Sequence, residues 1–393
     1  MENFMFRSNS FITREMRSKR RKTLLTVILL GFLISIFLFG YLAFGENQTG
    51  HPTLVQLHIL FRHGERTPSS KYPTDQHSDI IWPDGPGALT NKGKQSMYEF
   101  GKTLRMRYHG FLSEYYSPEE LYVISSYAPR CQMSAMTLLA GLYPPIGKQV
   151  WNKDLLWQPI PVNPIPRNID NLITAKAPCL AFNDEKKKSD IELHNNLTEK
   201  DNKVFSYLSE KTNLFIENIG QVEQLYSILK IEDENGLVIP EWTKTVFPEP
   251  MKTFTQMNLE SYSRTPKLKR LQGGPLLKEW LQNIKTSSKK IHLYAGHDIT
   301  LVTLMRTIGV TTAGVTTPPD YGASFILEVH HVSNKKILKA FYFNSNKDFQ
   351  PINLLLPDCE PMCTVETLTD TLKAFIPDDW DQECKTNLHS MTI

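Results

Sequence analysis

Residues 55–61 alternate, with Val55, Leu57, Ile59 and Phe61 on one phase and Gln56, His58 and Leu60 on the other, over too few residues for a helix. The pattern predicts a buried strand that stops at Arg62. Leu121-Tyr122-Val123-Ile124-Ser125-Ser126 predicts a second strand and Ile291-His292-Leu293-Tyr294-Ala295 a third. Helical spacing follows each of them. Met97, Phe100, Leu104 and Tyr108 recur at helical intervals behind Thr90, which fits an N-cap, so about 91–109 reads as an amphipathic helix packed on the sheet. Pro129 suits a first helical turn, where its missing N–H costs little, and opens a run through Met133, Met136, Thr137 and Ala140. After the third strand, Leu301, Leu304, Met305 and Ile308 share a face and Gly309 marks the stop. Residues 323–330 and 337–343 read as an antiparallel hairpin turning at Ser333-Asn334-Lys335.

Three other stretches set the organisation. Residues 71–87, with Pro73, Pro83, Pro86 and Asp84-Gly85, read as a loop over the mouth of a site. Proline-rich residues 157–166 mark a boundary, after which 167–287 turn helical and polar; Phe215, Ile219, Val222, Tyr226 and Leu229 form one stripe, and Leu276, Leu277, Trp280, Leu281 and Ile284 another. Such stripes predict core. We therefore expect a discontinuous α/β domain from residues 51–166 and 288–390, carrying an inserted, smaller helical domain at 167–287. Residues 23–44 hold no charged side chain, long enough for a bilayer core of roughly 30 Å. Seven basic residues precede this run, so the positive-inside rule predicts a cytosolic tail at 1–22, a transmembrane signal anchor at 23–45, and a type II protein whose catalytic part is lumenal or extracellular. Ala43 and Gly45 offer a weak cleavage site, which would make the product secreted or lysosomal; but the apolar run exceeds the usual signal-peptide core of about 7–15 residues.

Charge then changes the picture. The formal +3 of the 393 residues comes from that basic tail, because residues 23–393 hold 37 basic and 39 acidic side chains. Nothing there asks for nucleic acid. With 40% hydrophobic and 22% charged residues the remainder is globular. Five cysteines in a translocated chain point to disulfides and leave one over. No CxxC occurs, so zinc has little support. Asn196-Leu197-Thr198 and Asn47-Gln48-Thr49 are glycosylation sequons, Asn196 the better candidate because Asn47 hugs the membrane.

The chemistry concentrates at the end of the first strand, in Arg62-His63-Gly64-Glu65-Arg66-Thr67-Pro68. The carboxyl end of a strand is where open α/β sheets bind ligands, and Gly64 would let backbone approach one closely. Two guanidiniums beside an imidazole suit a tetrahedral, doubly charged oxyanion. Arg130 stands at a helix N-terminus after the second strand, and His297-Asp298 follows the third. Three parallel strands would thus bring Arg62, His63, Arg66, Arg130, His297 and Asp298 onto one pocket. His330-His331 reads simply as a strand end.

The run at 62–68 resembles the RHGxRxP signature of the histidine acid phosphatases, and Trp157-Gln158-Pro159-Ile160-Pro161-Val162, Leu271-Gln272-Gly273-Gly274 and Ala295-Gly296-His297-Asp298 follow in that family's order. The likeness runs from about Thr53 to Cys384 and is to the prostatic and lysosomal type. It implies a phosphoglycerate-mutase-like mixed sheet flanked by helices and acid-phosphatase hydrolysis of phosphate monoesters in a lumenal or extracellular compartment. His63 would be the nucleophile, Asp298 the proton donor, and Arg62, Arg66, Arg130 and His297 the phosphate ligands, with no cofactor or metal. The helical insert would wall one side of the cleft and shape leaving-group specificity. The resemblance also implies disulfides Cys179–Cys384 and Cys359–Cys363, with Cys131 left over, and it allows a homodimer. The surrounding arginines should lower the pKa of His63 by like-charge repulsion. A mutase sharing the phosphohistidine, an inactive binding protein on the same fold, and a more specific sugar, glycan or lipid phosphatase are the alternatives.

Overall fold

Leu57, Ile59, Leu60 and Phe61 have no exposed surface, so β1 (Leu54–Arg62) is covered on both faces. The computed structural model describes residues 51–310, 314–315, 317–344, 350–359 and 362–385. The expected tail 1–22, the membrane segment 23–45 and Asn47 lie outside them; among the described residues no helix is long and apolar enough to cross a membrane.

Alternation sorts β1 between two cores. Leu57, Ile59 and Phe61 join α1 (Asn91–Arg107) and α2 (Pro129–Leu142) on one face, through Met97, Phe100, Leu104, Leu138 and Leu142. Thr90 does cap α1, its hydroxyl accepting from Gly93 N at 3.0 Å. β2 (Leu121–Ser126), β3 (Asn163–Ile165) and β4 (Ile291–Gly296) run parallel to β1, and β5 (Ser324–Val332) lies antiparallel on its other edge. The hairpin is completed by β6 (Lys335–Phe343), turning where Ser333 and Asn334 take φ of 48° and 63°. With β7 (Ile352–Leu354) and β8 (Cys363–Thr364) also on β6, the described sheet has the order β3-β2-β4-β1-β5-β6-β7. The result is a mixed sheet.

Between β3 and β4 the chain is helical: α3 (Leu180–Asn195), α4 (Glu199–Thr212), α5 (Ile219–Glu234), α6 (Met251–Ser261), α7 (Pro266–Gln272) and α8 (Gly274–Thr286). α4, α5 and α6 bury a core of their own, with Phe205, Val222, Leu229 and Phe254, and Tyr72 from the 71–87 segment inserts into it. α8 belongs elsewhere. Its Leu276, Leu277, Trp280 and Ile284 pack with Leu60 and Tyr294 on the second face of the sheet, beside Leu301, Leu304 and Ile308 of α9 (Asp298–Ile308). Two expected core positions are wrong: Val55, near the start of β1, is 40% exposed, and Phe215 is the other. Phe215 is 77% exposed, because α5 starts only at Ile219, where Asn218 Oδ1 accepts from Gln221 N and Gln221 Oε1 accepts from Asn218 N.

Cys179–Cys384 and Cys359–Cys363 are bonded. Cys131 is a buried free thiol. His330 and His331 fall at the end of β5, as expected, and His330 Nε2 is bonded to Glu328 Oε2 at 3.0 Å.

Candidate active site

In register, Arg62 lies beside Gly296, and Ser125 beside Ala295, so β1, β4 and β2 end at one edge. Parallel strands do what the pattern required: the residues after each end converge on a cavity of about 330 Å³ whose lining includes Arg62, His63, Arg66, Arg130, His297 and Asp298. All six expected residues meet there. The 71–87 segment does not line it; Ser69 and Ser70 do, while the segment borders a separate cavity with Glu232. The expectation of a loop over this mouth is corrected by Tyr72, which anchors the segment in the helical core.

Gly64 has a different reason from the expected one. A Cβ there would stand 2.6 Å from the carbonyl of Gly93, so its bare backbone is needed where the loop crosses α1. Gly64 N donates to Ser134 Oγ at 3.0 Å, and Ser134 in turn donates to Arg130 O at 2.7 Å. One serine thus ties the His63 loop to the start of α2.

His63 is 2% exposed. Its Nδ1 lies 2.8 Å from Gly64 O; a carbonyl only accepts, so Nδ1 carries the proton and the neutral ring presents its lone pair at Nε2. Burial holds its pKa well below the ordinary histidine value, with Arg130, Arg62, His297 and Arg66 adding to the effect. Like-charge repulsion therefore acts as expected, but desolvation is the larger cause.

Arg62 pairs with Asp298, Nη2 to Oδ2 at 2.7 Å, donates to Pro319 O, and lies 4.3 Å over the Tyr321 ring. Arg66 is aimed by Thr67 O and by Ser227 Oγ of α5, each at 2.9 Å. The Nε of Arg62 and of Arg130 are buried without an acceptor among the described residues, which a bound oxyanion would supply. Burial opposes ionisation of Asp298. Arg62, His297 and the Ile299 amide outweigh it and hold the carboxyl below its ordinary value.

His297 Nδ1 faces Arg130 Nη2 at 3.5 Å, and its Nε2 is 2.9 Å from Ser126 Oγ. Arginine only donates, so Nδ1 accepts and Nε2–H points to Ser126. In this tautomer His297 positions Arg130. Burial and the arginine field depress its pKa as well. Cys131 Sγ lies 3.6 Å from the same Nε2, and burial pushes that thiol up to about 12, which keeps it unreactive.

Sequence reasoning missed Ser126, Ser134, Ser227, Tyr321 and Glu223. Serines inside apolar helices and strands carry no periodic signal, and Glu223 sits beside a core position of α5, where a charged residue ordinarily faces solvent.

Among known proteins, residues 53–344 match the family model of the histidine phosphatase superfamily (branch 2). The chain is 32% identical to lysosomal acid phosphatase of Xenopus laevis, covering 85% of this chain and 79% of that protein. With human prostatic acid phosphatase it shares 31% identity, covering 92% and 95% respectively. Among solved structures, the phytase of Citrobacter braakii superposes with a TM-score of 0.64 at 18% identity, covering 85% of this chain and all of that one. That last likeness concerns the fold.

Proposed function

The chain belongs to the histidine phosphatase superfamily, branch 2, and on that premise we propose that it is an acid phosphatase in which His63 takes the phosphoryl group of a monoester and passes it to water. The observation that carries this reading is the His63 ring: Nδ1–H is fixed on Gly64 O, so Nε2 is the free nucleophile, in a cavity that Arg62, Arg66 and Arg130 also line. Those three cations stabilise the equatorial oxygens as charge spreads over them. His297 holds Arg130 in place.

Nε2 attacks phosphorus in line, and the bond from phosphorus to the ester oxygen breaks as that oxygen takes a proton from Asp298. Free Asp298 is held ionised by Arg62. The proton therefore arrives with the substrate: a phosphate monoanion delivers it to Asp298, whose affinity for it rises once Arg62 turns to the phosphate and a dianion lies alongside. A phosphate ester loses its second proton near pH 6, so productive binding favours acid. In the second step Asp298, now a carboxylate, takes a proton from water, whose oxygen attacks phosphorus and releases His63.

Two disulfides and an exposed Asn196 sequon support a lumenal or extracellular setting. With the basic cluster ahead of residues 23–44, they support the type II anchored reading. Protease added to sealed vesicles should trim a short N-terminal tag and spare the catalytic part; recovery of fully soluble protein starting near Glu46 would instead mean cleavage. Assembly as a homodimer belongs to the same reading, by resemblance.

The test of function is phosphate release from a panel of monoesters across pH 4–8, with quenching to trap the enzyme intermediate. Label on His63 and release to water are expected. Transfer to a second substrate without free phosphate would make the protein a mutase, and no turnover would make it a binding protein.

A further inference from the structure

Asp298 borders two cavities, and of the side chains that line both, Arg130, Glu223, His297 and Asp298, only Glu223 is not part of the proposed machinery. The nearer cavity holds Arg62, His63 and Arg66; the other, of about 520 Å³, holds Tyr127, Arg167, Lys176 and Tyr262. Glu223 of α5 lines both. A leaving group departing past Asp298 into either one meets this carboxyl.

Glu223 is built into place. Its Oε2 accepts from Asn258 Nδ2 of α6, while Oε1 has no partner among the described residues and is not sealed from solvent. No lysine, arginine or histidine among the described residues makes an ion pair with it, whereas the other two acids of the nearer cavity, Asp298 and Asp320, are engaged by Arg62 and Lys230.

We propose that Glu223 is a specificity-determining residue that sorts leaving groups by charge, favouring a hydroxyl or ammonium near the scissile oxygen and disfavouring a second anion. The proposal rests on the phosphomonoesterase reading and adds to it a substrate class.

The sorting should vary with pH. Burial and the neighbouring Asp298 charge raise the Glu223 pKa to about 7, against the opposing Asn258 hydrogen bond and the charges of Arg62 and Arg66. Glu223 faces groups of both charges. On the β1 and α9 sides, His63, His297 and Asp298 are all held below their ordinary values, beside the guanidiniums of Arg62 and Arg66. The remaining walls carry Arg130, Arg167, Lys176, Lys230 and Lys252, and Tyr262, whose pKa burial raises. Toward α3, Lys186 and Asp190 form an ion pair on the outer groove that Glu223 also touches, beside the imidazole of His194.

The experiment compares kcat/KM for phosphoethanolamine, glycerol 1-phosphate and 3-phosphoglycerate, whose leaving groups differ chiefly in charge. In the wild type the preference for the ammonium over the carboxylate substrate should grow roughly tenfold from pH 5 to pH 8, the scale of one charged hydrogen bond. In Glu223→Gln, which keeps the Asn258 contact, the ratio should be flat. A flat wild-type ratio overturns the proposal, as does a Glu223→Gln ratio that still rises. The wild-type profile alone decides the matter if the variant fails to fold. Absence of phosphate release from all three substrates would instead count against the phosphatase reading.

Discussion

Asp298 presents an apparent conflict at the scale of the residue: a proton donor that its arginine partner keeps deprotonated. Arg62, 2.7 Å away, holds its pKa down even though burial alone would raise it. The conflict resolves if the proton comes with the substrate, and it dictates how the variants should behave. His63→Ala should abolish phosphoenzyme with every substrate, since no other group accepts the phosphoryl. Asp298→Asn keeps the shape but loses the transferable proton, so its cost should scale with the basicity of the departing oxygen. An alkyl phosphate should lose roughly 10²–10⁴-fold in rate, whereas a nitrophenyl phosphate, whose leaving group departs as a stable anion, should lose far less. Phosphorylated His63 should accumulate with the nitrophenyl ester, because water activation is lost too. Equal slowing of phosphoenzyme formation with both esters, measured by rapid quench, would reassign Asp298 to orienting Arg62.

Among the elements, the 71–87 segment and α5 are joined by an acid pair that the sequence did not show. Asp75 and Glu232 are 7% and 2% exposed, and the Glu232 carboxyl is raised to about 7 by burial first and then by Asp75. Such a group stabilises the fold below its unfolded value and loses that contribution as pH rises towards 7. Glu232→Gln keeps a donor for Asp75 and removes the titration. It should therefore match the wild type near pH 4.5 and be more stable at pH 8 by roughly 1–3 kcal/mol, read from denaturant midpoints at the two pH values; equal stability at both would show that the pair carries no such strain. The reason this joint escaped the sequence is also the measure of what was legible. Strand ends were readable because an apolar alternation breaks off at charged residues three times, at Arg62, after Ser126 and at His297, and parallel strands must then end together. The six chemical residues came with them. Which face of a helix carries a buried acid is set by its packing partners, so periodicity does not single out Glu223 or Glu232, and the start of α5 is set by the Asn218–Gln221 cap, which leaves Phe215 outside the stripe.

Across the whole molecule, acid acts against the fold while favouring the proposed reaction. His58 and His292 are stacked at 4.8 Å inside the sheet, against Trp280, and their Nδ1 atoms have no partner among the described residues. Burial, then His292, holds His58 well below its ordinary pKa; burial, then Lys289, brings His292 to about 4. His63 and His297 are depressed in the same way. A base kept neutral in the native state is protonated in the unfolded chain first, so stability is complete above about pH 6.5 and is lost as pH falls from there towards the folded value. Glu223 and Glu232 work in the opposite sense, gaining protons in the native state as pH falls from about 7. Between about pH 6.5 and 4.5 the two carboxyls offset part of the loss from the four histidines, which would soften the fall in stability where a phosphate monoanion is plentiful. Below that Glu223 and Glu232 are saturated, while the histidines and the depressed carboxyls Asp298, Glu328 and Glu383 still titrate, so stability should fall steeply. His292→Gln isolates one contribution. Whatever its stability at pH 7, it should lose less than the wild type between pH 6.5 and 4, by up to roughly 1.4 kcal/mol per pH unit for a single titrating group. Parallel stability–pH curves for the two proteins would mean that His292 is not part of the acid limit, and the stacked pair would then be a feature of packing alone.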